Sequence, residues 1–156
     1  MKNQRRQLLK ALGIVGLVPL QQAHATPEEA ATAINRIIGT NAVKEGRVQL
    51  ELASLIENGN LVTIKVSTDS PMSQSDYVKA IHLVAERNPL PNILSAYFTP
   101  QSGTANFTTR IRLADTQRVW AIAQMSDGSF YQTYADTLIT SSACSEGFIW
   151  AKLRAP

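Results

Sequence analysis

Arg47-Val48-Gln49-Leu50-Glu51-Leu52, followed beyond Asn58-Gly59-Asn60 by Val62-Thr63-Ile64-Lys65-Val66, is the stretch whose reading decides the fold. Apolar residues recur at every second position in both runs, the period of a strand with one buried and one wetted face. Two strands joined around an Asn-Gly turn are therefore predicted.

The same period continues downstream. Tyr77 to Glu86 reads as a longer strand ended by Asn88-Pro89-Leu90-Pro91, and Ile93 to Thr99 as the next, ended by Pro100-Gln101-Ser102-Gly103. Ala105, Phe107, Thr109, Ile111 and Leu113 are expected to face inward, with Asn106, Thr108, Arg110 and Arg112 outward. Past the Asp115 turn, Val119 to Met125 is a near-continuous apolar strand; past Ser126-Asp127-Gly128-Ser129, Phe130 to Thr140 is the last. About seven strands at short, regular spacing, punctuated by Gly, Pro, Asn and Asp, predict an all-β, immunoglobulin-like β-sandwich.

Upstream of the strands the period is that of a helix. Thr26 is placed as N-cap, Pro27 at the first helical position and Glu29 to complete a capping box. Ala30, Ala33, Ile34, Ile37 and Ile38 share one face, and Gly39 stops the run, so this short N-terminal helix should lie against something apolar.

The first 25 residues read as a leader. Gln4-Arg5-Arg6-Gln7-Leu8-Leu9-Lys10 has the order of a twin-arginine signal, the apolar stretch Leu8 to Leu20 follows, and Ala23-His24-Ala25 supplies an A-x-A cleavage pattern. Lys10 and Pro19 interrupt the apolar run, which is shorter than the roughly 20 residues of a membrane span. The expectation is export of a folded protein to the periplasm, with no membrane attachment after cleavage. Division into a signal peptide (1–25), a sandwich domain (26–140) and a C-terminal arm and tail (141–156) follows. About 130 residues remain, enough for one domain with its own core.

Removing the leader also removes the basic character. The chain has 15 Lys+Arg and 12 Asp+Glu, and the leader holds Lys2, Arg5, Arg6 and Lys10 but no acid, so the mature balance is 11 − 12 = −1. No basic cluster survives that would imply a nucleic-acid partner; alternating Arg110 and Arg112 read as the solvated face of a strand. The mature histidine content is one residue, His82, and the chain has one cysteine, Cys144. A blue-copper centre needs two histidines and a cysteine, covalent haem a C-x-x-C-H run, and structural zinc a comparable ligand set, so none of these three centres is expected. His82 reads as a packed or hydrogen-bonded strand residue. With no G-x-S-x-G elbow, phosphate-cradling glycine loop or distinctive carboxylate pair, an independent enzyme is not expected.

Cys144 sits in Ser141-Ser142-Ala143-Cys144-Ser145-Glu146-Gly147, a small and polar run. Cysteines in oxidising compartments usually pair, and buried structural ones favour apolar surroundings. Two readings stay open: an exposed, reactive thiol, or a small residue of a C-terminal strand running into Phe148-Ile149-Trp150.

The segments Tyr77-Val78-Lys79-Ala80-Ile81-His82, Ala85-Glu86-Arg87-Asn88-Pro89-Leu90-Pro91, Phe98-Thr99-Pro100, Thr109-Arg110-Ile111-Arg112-Leu113-Ala114-Asp115 and Met125-Ser126-Asp127-Gly128-Ser129-Phe130 resemble the SoxY family of sulfur carriers of thiosulfate oxidation. The likeness spans nearly the whole mature chain. It implies an immunoglobulin-like sandwich without cofactor that pairs with a SoxZ-like β-sandwich subunit. It also implies transient docking to a c-type cytochrome, which couples thiosulfate to a thiol, and to a hydrolase that releases sulfate. Family members carry the sulfur on the cysteine of a G-G-C-G-G arm, and Cys144 is the residue here that matches. The arm departs from that pattern: Ser142, Ala143, Ser145 and Glu146 replace glycines, and 12 residues follow Cys144. A covalent sulfur carrier acting through Cys144 is thus the first functional expectation. A SoxY-like binding or scaffold subunit that has lost the standard carrier cycle is the alternative.

Overall fold

The computed structural model describes residues 26–141. It opens with helix α1 (Pro27–Ile38), followed by β1 (Val43–Lys44), β2 (Val48–Leu52), β3 (Leu55–Ile56), β4 (Val62–Thr68), β5 (Val78–Ala85), β6 (Asn92–Tyr97), β7 (Phe107–Ile111), β8 (Gln117–Met125) and β9 (Phe130–Ile139), with a short 3₁₀ turn at Pro100–Ser102. The seven strands of five residues or more are the expected ones. The two additional pieces, β1 and β3, are two residues each and too short for an alternation to declare them.

One sheet has the order β1-β9-β8-β5-β6, with β3 also on β9; the other has the order β2-β4-β7. The alternating pairs that predicted β2 and β4 do lie antiparallel, with Leu50 opposite Val66 and Leu52 opposite Ile64. Their connection differs from the expected turn. Between them the chain leaves the smaller sheet, pairs Leu55 and Ile56 in parallel with Leu138 and Ile139 of β9, and only then returns through Asn58-Gly59-Asn60. Leu55–Ile56 finds backbone partners on β9, so the Asn-Gly dipeptide closes no two-residue hairpin. The segment from β1 to β3 thus runs alongside β9, touching it at Phe130 and Tyr131 and again at Leu138 and Ile139. One side of the sandwich is closed in this way, whereas β6 and β7 at the opposite side each have a free edge.

Between the sheets lies the main core. Ile64 and Val66 from the smaller sheet meet Val78, Ile81 and Leu83 of β5 and Val119, Ala121 and Ala123 of β8, all fully enclosed. Each Val, Ile or Leu among them contributes roughly 1.5–3 kcal/mol on burial. A second cluster sits on the outer face of the larger sheet, where α1 lays Ala30 and Ile38 on Val84, Ile122 and Phe130. This is the apolar surface the helix periodicity called for. It also explains why β5 and β8 are apolar at consecutive positions: both faces are covered. The helix start is as expected, since the Glu29 N–H donates to Thr26 Oγ1 at 3.3 Å and the Thr26 N–H to Glu29 Oε2 at 3.0 Å. Gly39, at φ +65° and ψ −131°, ends it in a conformation open to glycine.

Candidate functional site

Cys144 lies three residues beyond Ser141, outside the described residues, so the site that the structure defines is the platform from which its segment departs. Strand β9 delivers the chain to that point, and hydrogen bonds hold its end from three directions. The Thr140 N–H donates to the Ile56 carbonyl at 3.0 Å, the Ile139 N–H to Thr116 Oγ1 at 2.9 Å, and Thr140 Oγ1 to the Glu57 carbonyl at 3.3 Å. Finally the Gly59 N–H donates to the Ser141 carbonyl at 2.8 Å, while the Gly59 carbonyl accepts from the Leu113 N–H at 2.8 Å. Gly59 is therefore a bridge: it ties Ser141, two residues past the end of β9 in the larger sheet, to Leu113, two residues past the end of β7 in the smaller one.

Beside this bridge a buried amide pair locks the neighbouring loops. Asn88 and Gln117 are 9% and 6% exposed. Asn88 Oδ1 accepts from the Ala114 N–H at 2.9 Å and from Gln117 Nε2 at 3.0 Å, while Asn88 Nδ2 donates to the Arg112 carbonyl at 2.8 Å. Gln117 Oε1 accepts in turn from the Arg87 N–H at 2.8 Å. Both amides use donor and acceptor alike, as buried polar groups must. Sequence reading placed Asn88 in a strand-ending turn and did not single out Gln117; nothing in a single Asn-Pro pair distinguishes a buried network member from an exposed turn residue.

Four arginines surround this end of the sandwich. Arg87 pairs with Asp115 at 3.0 Å, and Arg118 makes two bonds to Asp136, at 2.8 and 3.0 Å. The Arg118 guanidinium also lies 3.9 Å from the Tyr134 ring centroid and 5.6 Å from that of Trp120, and Trp120 Nε1 donates to Glu86 at 3.0 Å. Its hydrogen bonds to Asp136 raise the pKa of Arg118 further and lower that of the carboxylate, so the pair stays ionised. Arg110 and Arg112 point outward, as their alternation predicted, and neither forms an ion pair among the described residues. They line an open groove of about 450 Å³ with Asn88, Leu90, Ile93 and Leu94, between the free-edge strands β6 and β7.

His82 is elsewhere. It lies in the middle of β5, opposite Ser95 of β6, with Nδ1 2.8 Å from Ser95 Oγ and its ring edge-on to Tyr97. Burial pushes its pKa down. It faces Ile122, which faces Gln132, seven residues or about 23 Å of strand from Ile139. The structure thus keeps it as the hydrogen-bonded strand residue the sequence suggested. Among the described residues no three His, Cys, Asp or Glu side chains converge as a metal ion requires, and no helix is long and apolar enough to cross a membrane.

Comparison with known proteins identifies this architecture. A sulfur carrier protein SoxY from Chlorobium limicola f thiosulfatophilum superposes with a TM-score of 0.61 at 22% identity, over 74% of this chain and 99% of that one. The fold is shared more widely. A superoxide reductase (neelaredoxin) from Ignicoccus hospitalis gives a TM-score of 0.54 at 14% identity, over 74% of this chain and 94% of that one. One from Nanoarchaeum equitans gives 0.51 at 13%, over 61% of this chain and 99% of that one. No curated protein sequence matches. The family model for the sulfur oxidation protein SoxY matches residues 34–144, from the apolar face of α1 through both sheets to the cysteine itself. The chain therefore belongs to the SoxY family, whose members are sulfur carriers and not enzymes.

Proposed function

We propose that this protein carries sulfur covalently on the Cys144 thiol in the periplasm, after twin-arginine export and removal of residues 1–25. The observation that supports this most directly is the extent of the family match, which ends on Cys144, the chain's one cysteine. The hydrogen-bonded end of β9 supports it as well, because a firm root followed by a short polar run presents a thiol to a partner's active site. In the proposed cycle a c-type cytochrome partner couples the thiolate oxidatively to the outer sulfur of thiosulfate, Cys-S⁻ + S₂O₃²⁻ → Cys-S-S-SO₃⁻ + 2 e⁻, the cytochrome taking up both electrons. A hydrolase then adds water across the terminal S–S bond, giving sulfate, two protons and Cys-S-S⁻. Rate in such exchange depends on thiolate fraction and access. The sandwich (26–140) pairs with a separate SoxZ-like subunit, and residues 141–156 form the arm and tail.

Ser142, Ala143, Ser145 and Glu146 in place of glycines, and the 12 residues after Cys144, support a second reading, in which partner binding is kept and the carrier cycle is lost. Intact mass separates the two. The mature protein is reduced, then exposed to thiosulfate with its native periplasmic extract, alongside Cys144→Ser. A reductant-sensitive adduct confined to the Cys144 protein is expected; an unmodified mass with a fully reduced thiol would leave the binding-subunit reading in its place.

A further inference from the structure

Strand β6 is the one long edge strand of the sandwich that bears no charge. From Asn88 to Thr109 the chain contains no Asp, Glu, Lys, Arg or His, in a sequence that is 17% charged, and this run supplies β6, the loop after it and the start of β7. We propose that the free edge of β6 is where a strand of another protein adds to the larger sheet, and that this strand is uncharged along its middle and carries carboxylates at its ends. Nothing in the proposal requires chemistry at Cys144.

Backbone geometry is the first support. The Phe98 N–H donates to the Lys79 carbonyl at 3.0 Å, so these two residues form a hydrogen-bonded pair at the end of the β5–β6 ladder. Bonded and non-bonded pairs alternate along an antiparallel ladder, which makes Ala80 with Tyr97, and His82 with Ser95, non-bonded pairs. The N–H and C=O groups of Ser95 and Tyr97 therefore point away from β5, toward an edge on which no other strand lies, and neither N–H has a backbone partner among the described residues. An edge left open in this way is a template for pairing unless charge, proline or a bulge protects it. The other edges have such protection: β9 is flanked by β1 and β3, and the outer strands of the smaller sheet carry Glu51 and Arg110. On β6, Pro91 and the register shift that skips Ile93 guard only the first residues, leaving Leu94 to Phe98 open.

Side chains are the second support. Leu90 and Tyr97, 78% and 77% exposed, are the most exposed large apolar residues described, and they bracket the strand. The centre of a protein interface is poor in charge and rich in aromatic side chains, with polar groups around it. Charge then selects the occupant. The cations around the strip, Lys79 at the Phe98 end and Arg110 and Arg112 beside Asn92 to Leu94, form no ion pair among the described residues. Nearby, Arg87 is matched by Asp115, and Glu29 and Arg36 of α1 offset one another across Pro89 and Pro91. A second copy of this chain paired on β6, antiparallel or parallel, would set cations against cations. A strand ending in carboxylates meets opposite charge at both ends, and main-chain hydrogen bonds to Ser95 and Tyr97 supply the rest of its affinity.

The test uses the mature protein and two synthetic peptides: acetyl-Glu-Glu-Thr-Val-Thr-Val-Thr-Glu-Glu-amide, and a twin with lysine in place of each glutamate. The acidic peptide is expected to slow hydrogen exchange at the Ser95 and Tyr97 amides and to bind about tenfold more tightly than its twin, a preference that high salt should erase. Tyr97→Pro removes an outward N–H without breaking a β5–β6 bond, so it should abolish that binding while leaving the urea midpoint close to wild type. Arg110→Gln/Arg112→Gln leaves β6 itself untouched and gives an independent reading: the tenfold preference should shrink to about twofold. Leu138→Lys, on the covered side of the sandwich, should change nothing. Unprotected Ser95 and Tyr97 amides with either peptide, or equal affinity for the two at low salt, overturns the proposal. So does a dimer of the protein alone in sedimentation equilibrium that Tyr97→Pro dissolves, because the occupant is then a second copy.

Discussion

Replacing Asn88 by alanine tests whether the two sheets are tied at the arm root by one buried amide. The substitution removes three hydrogen bonds at 2.8, 2.9 and 3.0 Å. Their costs differ. The Ala114 N–H is left buried without an acceptor, since Ala114 is 3% exposed, at about 1–3 kcal/mol. Gln117 keeps its bonds to the Asp115 carbonyl and the Arg87 N–H, so losing Asn88 costs it about 0.5–1.5 kcal/mol. The Arg112 carbonyl lies beside an open groove and can take water instead, a small loss. The sum is about 2–4 kcal/mol, or a Tm lower by roughly 8–15 °C for a domain of this size. Urea unfolding of the mature protein, followed by far-ultraviolet circular dichroism, reads it as a lower midpoint at constant slope. Asn92→Ala is the control, because Asn92 is exposed and meets Ser95 only at 3.4 Å; its effect should stay within about 0.5 kcal/mol. An Asn88→Ala protein no less stable than Asn92→Ala would refute the reasoning, and with it the idea that this buried amide ties the two sheets.

Two further predictions concern the larger sheet. His82 is held neutral by burial, so its folded pKa lies below that of the unfolded chain, which is about 6.5. The unfolded state then binds the proton first: stability is complete above pH 6.5 and declines as pH falls below it. Urea midpoints measured from pH 7.5 to 5 should show this decline in the wild type and a flatter profile in His82→Gln; parallel profiles would contradict it. Ile122, fully buried beneath α1, should cost about 2–5 kcal/mol when cut to alanine, and should open the Pro27–Ile38 helix to proteolysis before the sandwich melts. Coincident loss of helix and sandwich protection would instead show α1 to be part of one cooperative unit.

How the site became legible differs from how the fold did. Cys144 was singled out by rarity and by the small polar residues around it, both one-dimensional facts. Arg112 looked like a solvated strand residue and is one; what the order of side chains hid is the Gly59 bridge, whose two backbone hydrogen bonds link Leu113 to Ser141 although 28 residues of sequence separate them. Asn88 and Gln117 were invisible for the same reason. A hydrogen bond between residues 29 apart leaves no local signature.

Local rules governed much of the chain. The capping box at Thr26 and Glu29, the stop at Gly39, the alternation in β2, β4 and β7, and the seven longer strands depend on interactions within a few residues or on a repeating period, and these are written in the order of side chains. The tertiary structure decided what that order does not encode. Leu55–Ile56 left its hairpin because β9 offered an unpaired edge; α1 found its place because Val84, Ile122 and Phe130 face outward; and the arm root was assembled from Ile56, Gly59, Leu113 and Thr116, which only a folded sandwich brings together. A strand's pairing partner and a buried group's hydrogen bonds are chosen by competition among distant segments for the same backbone edges and the same dry space, and that competition is settled in three dimensions.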